Sequence, residues 1–351
     1  MKSRIFNLPD IREASSHRDS EIRQRLDQKT KPPGSLGELE SLAFRMARIQ
    51  GNDQIQVDTP CHLVFAADHG ICEAGISPFP QEVTGQMVAN FLAGGAAINV
   101  FCRHNRVALR VVDAGMASEP PAGRDLVHAA GRRGTASFRS EAAMTREELH
   151  HCLAEGGRIL EAEAIQAPVV SLGEMGIGNT TTAAALLSAL LGLPPEDCVG
   201  AGTGADAAMQ QRKAAVIREA LALHQPDPDE PLEVLRCLGG LEIAMMTGAF
   251  LRAGALGRII LVDGFIATAA WMVAERLQPA LRDYSFFAHQ SGERGHAAIL
   301  QALDVRPLLH LDMRLGEGTG AVAAVPLLRL AAAFYNEMAS FDEAGVSEAR
   351  P

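Results

Sequence analysis

No C-x-x-C pair occurs anywhere in the chain, and its six cysteines, Cys61, Cys72, Cys102, Cys152, Cys198 and Cys237, are scattered. A zinc framework or a disulfide scaffold needs paired thiols at suitable spacing, so buried free cysteines are expected. The eleven histidines are equally dispersed, with no H-x-x-x-H or H-E-x-x-H spacing to suggest a metal cage. Basic clusters are also missing beyond short groups such as "GRRG" at 131–134, and the formal charge is -10. That combination argues against a polyanion-binding surface, and nucleic acid is not an expected partner. The N-terminal stretch has no apolar core of signal-peptide length, and the apolar runs at 183–193 and 259–273 are short or interrupted by Asp263. A soluble, cytoplasmic protein with no membrane partner is expected.

What is present is enough apolar material, 47% of 351 residues, for a large buried core. From residue 61 onward, short apolar runs alternate with stretches of helical spacing, the pattern of an α/β fold with a mostly parallel sheet covered by helices. Strands are predicted at 62–67, 107–112, 167–172, 258–262 and 284–288. Each is followed by glycine and polar residues: Asp68-His69-Gly70, Asp113-Ala114-Gly115, Gly173-Glu174, Asp263-Gly264 and His289-Gln290-Ser291-Gly292. Any one of these could be an ordinary turn. Ligands of open α/β sheets bind outside the carboxyl ends of the strands, so all five together predict one crevice. The chain is read as a large α/β domain over 61–292, with 1–60 and 293–351 forming a small helical domain from both chain ends.

Three glycine turns carry the chemistry. "SLGEMGIGNTTT" (171–182) joins a predicted strand to a helix that Thr180 to Thr182 are placed to cap. Helix N-termini with glycine-rich approaches hold anions through backbone N–H groups and the helix dipole. The turn lacks a P-loop lysine, and Gly173, Gly176 and Gly178 are out of order for G-x-G-x-x-G, which disfavours a triphosphatase and a dinucleotide oxidoreductase. "GAGTGAD" (200–206) precedes a helix carrying Lys213, and "RLGEGTGA" (314–321) precedes another. Glu174 and Glu317 share a setting beside glycines near a helix start. Capping would stabilise such a helix by about 0.3–1 kcal/mol; glycine is a poor helix former, which favours a turn shaped around a ligand. "GISPFP" (75–80) could cover a flat aromatic ligand. Glu242 interrupts an apolar helix as a buried, interface or site residue.

"KPPGSLGELESLA" (31–43), "ADHGICEAGISPFPQEVTGQMVANFLAGGAAIN" (67–99), "GEMGIGNTTTAAAL" (173–186), "GAGTGAD" and "LDMRLGEGTGA" (311–321) together resemble the nicotinate-nucleotide:dimethylbenzimidazole phosphoribosyltransferase family. The resemblance spans nearly the whole chain. It implies a Rossmann-like sheet domain with a small helical domain, a homodimer, and transfer of 5-phosphoribose from nicotinate mononucleotide to 5,6-dimethylbenzimidazole in cobalamin nucleotide-loop assembly. No cofactor and no metal are implied. Carried over residue by residue, Glu317 is the base and Glu174 a polar partner near the ribose. The turns holding Gly176, Ile177, Gly178 and Asn179, and Gly202, Thr203 and Gly204, form the phosphate cradle. Ser77, Phe79, Pro80 and Gln86 form the azole wall, with Leu315 opposite. Lys213 matches a family lysine, and Asp263, Gly264, Ser291 and Gly292 complete the substrate-binding set. Gln290 and Arg294 fall at positions where variation is expected.

Overall fold

The computed structural model describes residues 5–121, 123, 125–200, 204 and 206–347, with Arg294 described for its backbone alone. Six strands form one sheet: β1 (Cys61–Ala67), β2 (Ala108–Gly115), β3 (Leu126–His128), β4 (Val169–Met175), β5 (Ile259–Val262) and β6 (Ser285–Phe287). Their order is β3-β2-β1-β4-β5-β6, and every pairing is parallel. The chain winds outward from β1 to β3 and then restarts at β4 on the other side of β1. That reversal opens a crevice at the carboxyl ends of β1 and β4, the switch point of a doubly wound sheet.

Alternation along the strands sends side chains to two faces, which is why these buried strands are apolar throughout. Leu63, Phe65, Val112, Leu172, Ile260 and Val262 enter one apolar cluster, and Val64, Ala66, Val111, Val169, Ile259 and Leu261 enter the other. The second face carries α1 (Asp19–Asp27), α2 (Glu38–Gln50), α3 (Glu82–Ala93) and α4 (Ala97–His104). On the first lie α5 (Arg146–Ala164), α6 (Asn179–Leu191), α7 (Pro195–Cys198), α8 (Ala207–His224), α9 (Pro231–Leu238), α10 (Leu241–Ala255), α11 (Phe265–Leu277), α12 (Leu281–Tyr284) and α13 (Arg294–Ala302). The second face is completed from the far end of the chain by α14 (Thr319–Glu337), which packs on α2 and α4.

All five predicted strands form, with ends shifted by at most three residues. β4 runs on through Gly173, Glu174 and Met175 because Phe65 and Ala66 of β1 pair with Glu174 and Met175. Glu174 therefore stands on a strand end and not in a loop. The three-residue edge strand β3, and a two-stranded pair of β7 (His289–Gln290) with β8 (Leu309–His310), were not expected. Nor is the N-terminal segment helical throughout: before α1 it runs without regular secondary structure. Glu82–His104 is long and apolar enough by composition to cross a membrane, but Gly94, at φ 79°, ends α3 and the chain turns before α4 begins.

Candidate active site

A cavity of about 260 Å³ opens at the switch point, lined by residues 76–79, by Val83 and Met87, by 174–180 and 263–267, by His289, Ser291 and Glu293, by 314–317 and by Lys213. Three of the five predicted strand ends, those of β4, β5 and β6, supply lining residues; Asp68, His69 and Gly70 do not, and the chain after β1 reaches the cavity only from Ile76 onward. The end of β2 supplies none. Asp113 Oδ1 there accepts the N–H groups of Gly115 and Met116, each at 3.0 Å, and closes its own turn.

Glu174 and Glu317 both line this cavity and both are buried. The Glu174 carboxyl accepts the Asn179 side-chain N–H and the Glu317 backbone N–H. Burial pushes its pKa up to about 8, with the negative charges of Asp263 and Glu242 adding to the shift. Glu317 Oε2 accepts the Ile98 N–H at 3.1 Å, in the first turn of α4. Burial raises this carboxyl too, opposed by the Ile98 bond. Glu317 sits at φ 61°, a left-handed backbone that costs a non-glycine residue on the order of 1 kcal/mol and that clusters at functional sites. His62 holds that backbone in place. Its Nε2–H donates to the Glu317 carbonyl at 2.9 Å while Nδ1 accepts the Ser171 hydroxyl at 2.7 Å, and burial drives its pKa down to about 4, keeping it neutral.

The glycines flanking these glutamates serve a purpose that was not expected. A Cβ at Gly173 would lie 2.2 Å from the Glu317 carbonyl oxygen, and one at Gly316 would lie 2.4 Å from Glu174 Oε1. They let the end of β4 lie back to back with the turn that bears Glu317. Gly316 also lines the cavity, while Gly173 does not.

α6 begins at Asn179 with Gly178 as its N-cap at φ 97°, so the threonines do not cap it. Thr182 instead meets His69 Nδ1 at 2.9 Å, and Thr180 Oγ1 accepts from Lys213 Nζ at 3.4 Å. Lys213 is buried, which lowers its pKa, and it faces the positive end of α6. Two positive features meet there, and the buried Glu293 carboxylate on the same cavity acts on Lys213 as well. Two of the turn's amides are already committed, Ile177 N–H to Thr84 Oγ1 at 3.2 Å and Asn179 N–H to the Gly176 carbonyl at 3.2 Å.

Asp263 lines the cavity, yet its Oδ1 accepts the Ala321 N–H at 2.7 Å, and the amides of Gly320 and Gly264 also bond to its carboxylate. It ties the first turn of α14 to the turn that precedes α11. Beside it, His289 Nε2 lies 3.8 Å from Asp263 Oδ1. Ser291 donates its N–H to His296 Nδ1 at 2.9 Å, and burial pushes the His296 pKa down to about 3.

The structure brings together Ser77, Phe79, Glu174, Gly176, Ile177, Gly178, Asn179, Lys213, Asp263, Gly264, Ser291, Leu315 and Glu317 on one cavity. Phe79 and Leu315, at 44% and 52% exposure, stand at its mouth. Pro80, Gln86, Gly204 and Gly292 are exposed and do not line it. Gly202 and Thr203 lie outside the described residues. Where Gln86 was expected, α3 presents Val83 and Met87, one turn apart and so on one face. His289, named at a predicted strand end, also lines the cavity, as do Arg314, Glu293 and Phe265, which were not singled out; nearness to Leu315, Ser291 and Gly264 was the available signal. Glu242 is fully buried behind the cavity, with Oε1 accepting His69 Nε2–H at 2.8 Å. Among the described residues no cluster of three or more His, Cys, Asp or Glu could hold a metal ion.

The sequence profile of a family described as phosphoribosyltransferase matches residues 11–346. The nicotinate-nucleotide–dimethylbenzimidazole phosphoribosyltransferase of Shewanella amazonensis is 51% identical over 343 residues, 97% of this chain and 99% of that protein. That of Cupriavidus necator is 52% identical over 347 residues, 99% of this chain and all of the relative (100%). The crystal structure of the like-named protein from Thermus thermophilus superposes with a TM-score of 0.89 at 45% identity, covering 94% of this chain and 98% of that one.

Proposed function

We infer that this chain, which belongs to the nicotinate-nucleotide:dimethylbenzimidazole phosphoribosyltransferase family, moves 5-phosphoribose from nicotinate mononucleotide to 5,6-dimethylbenzimidazole, giving α-ribazole 5′-phosphate and nicotinate. The carrying observation is the pairing, across one cavity, of two buried carboxyls with a buried lysine at a helix N-terminus.

Nicotinate leaves through a ring nitrogen that is positively charged in the donor, so it departs neutral at that nitrogen and no acid is required. The acceptor attacks through one azole nitrogen and must lose the proton on the other. Glu317 takes that proton. Its carboxylate is raised by burial and is therefore a stronger base than a solvated one, and such a base contributes typically about 10²–10⁴ in rate. Lys213 and the start of α6 hold the donor phosphate. The apolar wall of Val83, Met87, Phe79 and Leu315 takes the flat azole. Attack from the side opposite nicotinate inverts the anomeric carbon.

Glu174 acts at the sugar. With a pKa near 8 it is largely protonated at neutral pH, so its O–H can donate to a ribose hydroxyl. That bond orients the ribose for attack as the oxocarbenium-like transition state forms. In this reading 61–292 is the substrate-binding domain and 1–60 with 293–351 the smaller helical one that delivers Glu317, and the protein works as a cytoplasmic homodimer.

The test incubates purified protein with both substrates in EDTA and follows nicotinate and α-ribazole phosphate by chromatography. Equal appearance of the two is expected. Nicotinate alone would mean hydrolysis or another acceptor, and no turnover by folded protein would overturn the reading. Gel filtration with light scattering tests the dimer.

A further inference from the structure

One buried hydroxyl ties together three segments around the cavity. Thr84, on α3, is fully buried between Val83 and Gly85. Its Oγ1 donates to Asp68 Oδ1 at 2.6 Å, just past the end of β1, and accepts the backbone N–H of Ile177 at 3.2 Å. Asp68 Oδ2 accepts the Ala117 N–H at 2.8 Å, so both carboxylate oxygens are engaged. These partners fix the direction of the bond: with its proton on Asp68, Thr84 meets Ile177 as an acceptor. The Ile177 carbonyl in turn accepts from Cys72 Sγ at 3.1 Å, so the residue is held from both sides. Ile177 lines the cavity and stands one residue before the N-cap of α6.

We propose that Thr84, oriented by Asp68, is a positioning residue for the phosphate-bearing donor. It fixes the 176–178 turn at the place where the start of α6 and Lys213 meet one anion. This rests on the reading of that end of the cavity as the phosphate site. A simple core threonine would matter for stability alone. Thr84 differs because its oxygen is the partner of an amide inside the turn, and a buried N–H deprived of its acceptor drives the backbone to move toward another. The same helix carries Val83 and Met87 to the acceptor wall, but α3 keeps its backbone hydrogen bonds without the hydroxyl, so losing it releases the donor turn and not the wall.

The experiment measures KM for each substrate and kcat for the wild type, Thr84→Val and Thr84→Ser. Valine keeps the shape and removes the hydroxyl. The expected result is a KM for nicotinate mononucleotide raised about 10-fold or more in Thr84→Val, with KM for 5,6-dimethylbenzimidazole changed less than threefold and most of the loss restored in Thr84→Ser. An unchanged donor KM in folded Thr84→Val, or equal rises for both substrates, would overturn the proposal. Should Thr84→Val not fold, Asp68→Asn, which leaves one oxygen for two donors, is expected to show the same selective donor loss, and its absence would be equally decisive. Lack of transfer by the wild type would instead sink the assigned reaction.

Discussion

Replacing Glu174 by glutamine should flatten the dependence of stability on pH. The folded pKa lies near 8 against an ordinary 4.5, principally because the carboxyl is buried. Between those values the folded chain keeps a proton that the unfolded chain has released, so stability falls as pH rises through the window. Each pH unit inside it is worth at most about 1.36 kcal/mol, hence up to roughly 2.7 kcal/mol between pH 5.5 and 7.5. Glutamine removes the titration and keeps the shape, and Asn179 can turn its amide to present oxygen to the new NH₂. The buried neutral His62 and His296 work in the opposite sense, since they resist charging as pH falls below 6.5; they are common to both proteins and cancel in the difference. Urea unfolding at pH 5.5, 6.5 and 7.5 reads the effect. The wild type should lose stability relative to Glu174→Gln by about 1–3 kcal/mol across that range. Parallel curves would show that Glu174 titrates normally and would remove the basis for its action as a donor.

Glu317→Gln is expected to lower kcat by about 10²-fold or more while KM for nicotinate mononucleotide stays within threefold; wild-type turnover would exclude it as the base. Lys213→Ala should raise that KM at least about 10-fold, because the phosphate would lose a charge-assisted partner inside a buried cavity; steady-state kinetics decide it. Gly173→Ala should destabilise the fold by about 1–3 kcal/mol and reduce turnover together, as its Cβ would press on the Glu317 carbonyl; normal melting and kinetics would show that the strand end and the turn separate freely. Met87→Ala should weaken the azole alone, seen as a raised acceptor KM with an unchanged donor KM.

The sheet was legible because buried parallel strands are continuous apolar runs that end in glycine and polar residues. β3, with three residues after a proline-rich loop, gives no such run. Both glutamates stood out by their glycine setting, although the reason for the glycines, a close contact between a strand end and a turn 144 residues apart in sequence, could not be read locally. Asp263 reads as a polar residue at a strand end, and only the tertiary position of α14 turns it into a tie between elements. Gln86 was carried over from the family resemblance alone, whereas the phase of α3 turns Val83 and Met87 inward.

The placement of α14 bears on how the protein is made. α14 follows all six strands in the chain, yet with α1 to α4 it covers the sheet face that carries Val64, Ala66, Ile259 and Leu261. A nascent chain can pair its strands before α14 emerges and still have that face only partly covered, a sticky surface suited to chaperone capture. Losing α14 would leave that apolar face partly open even with all six strands paired.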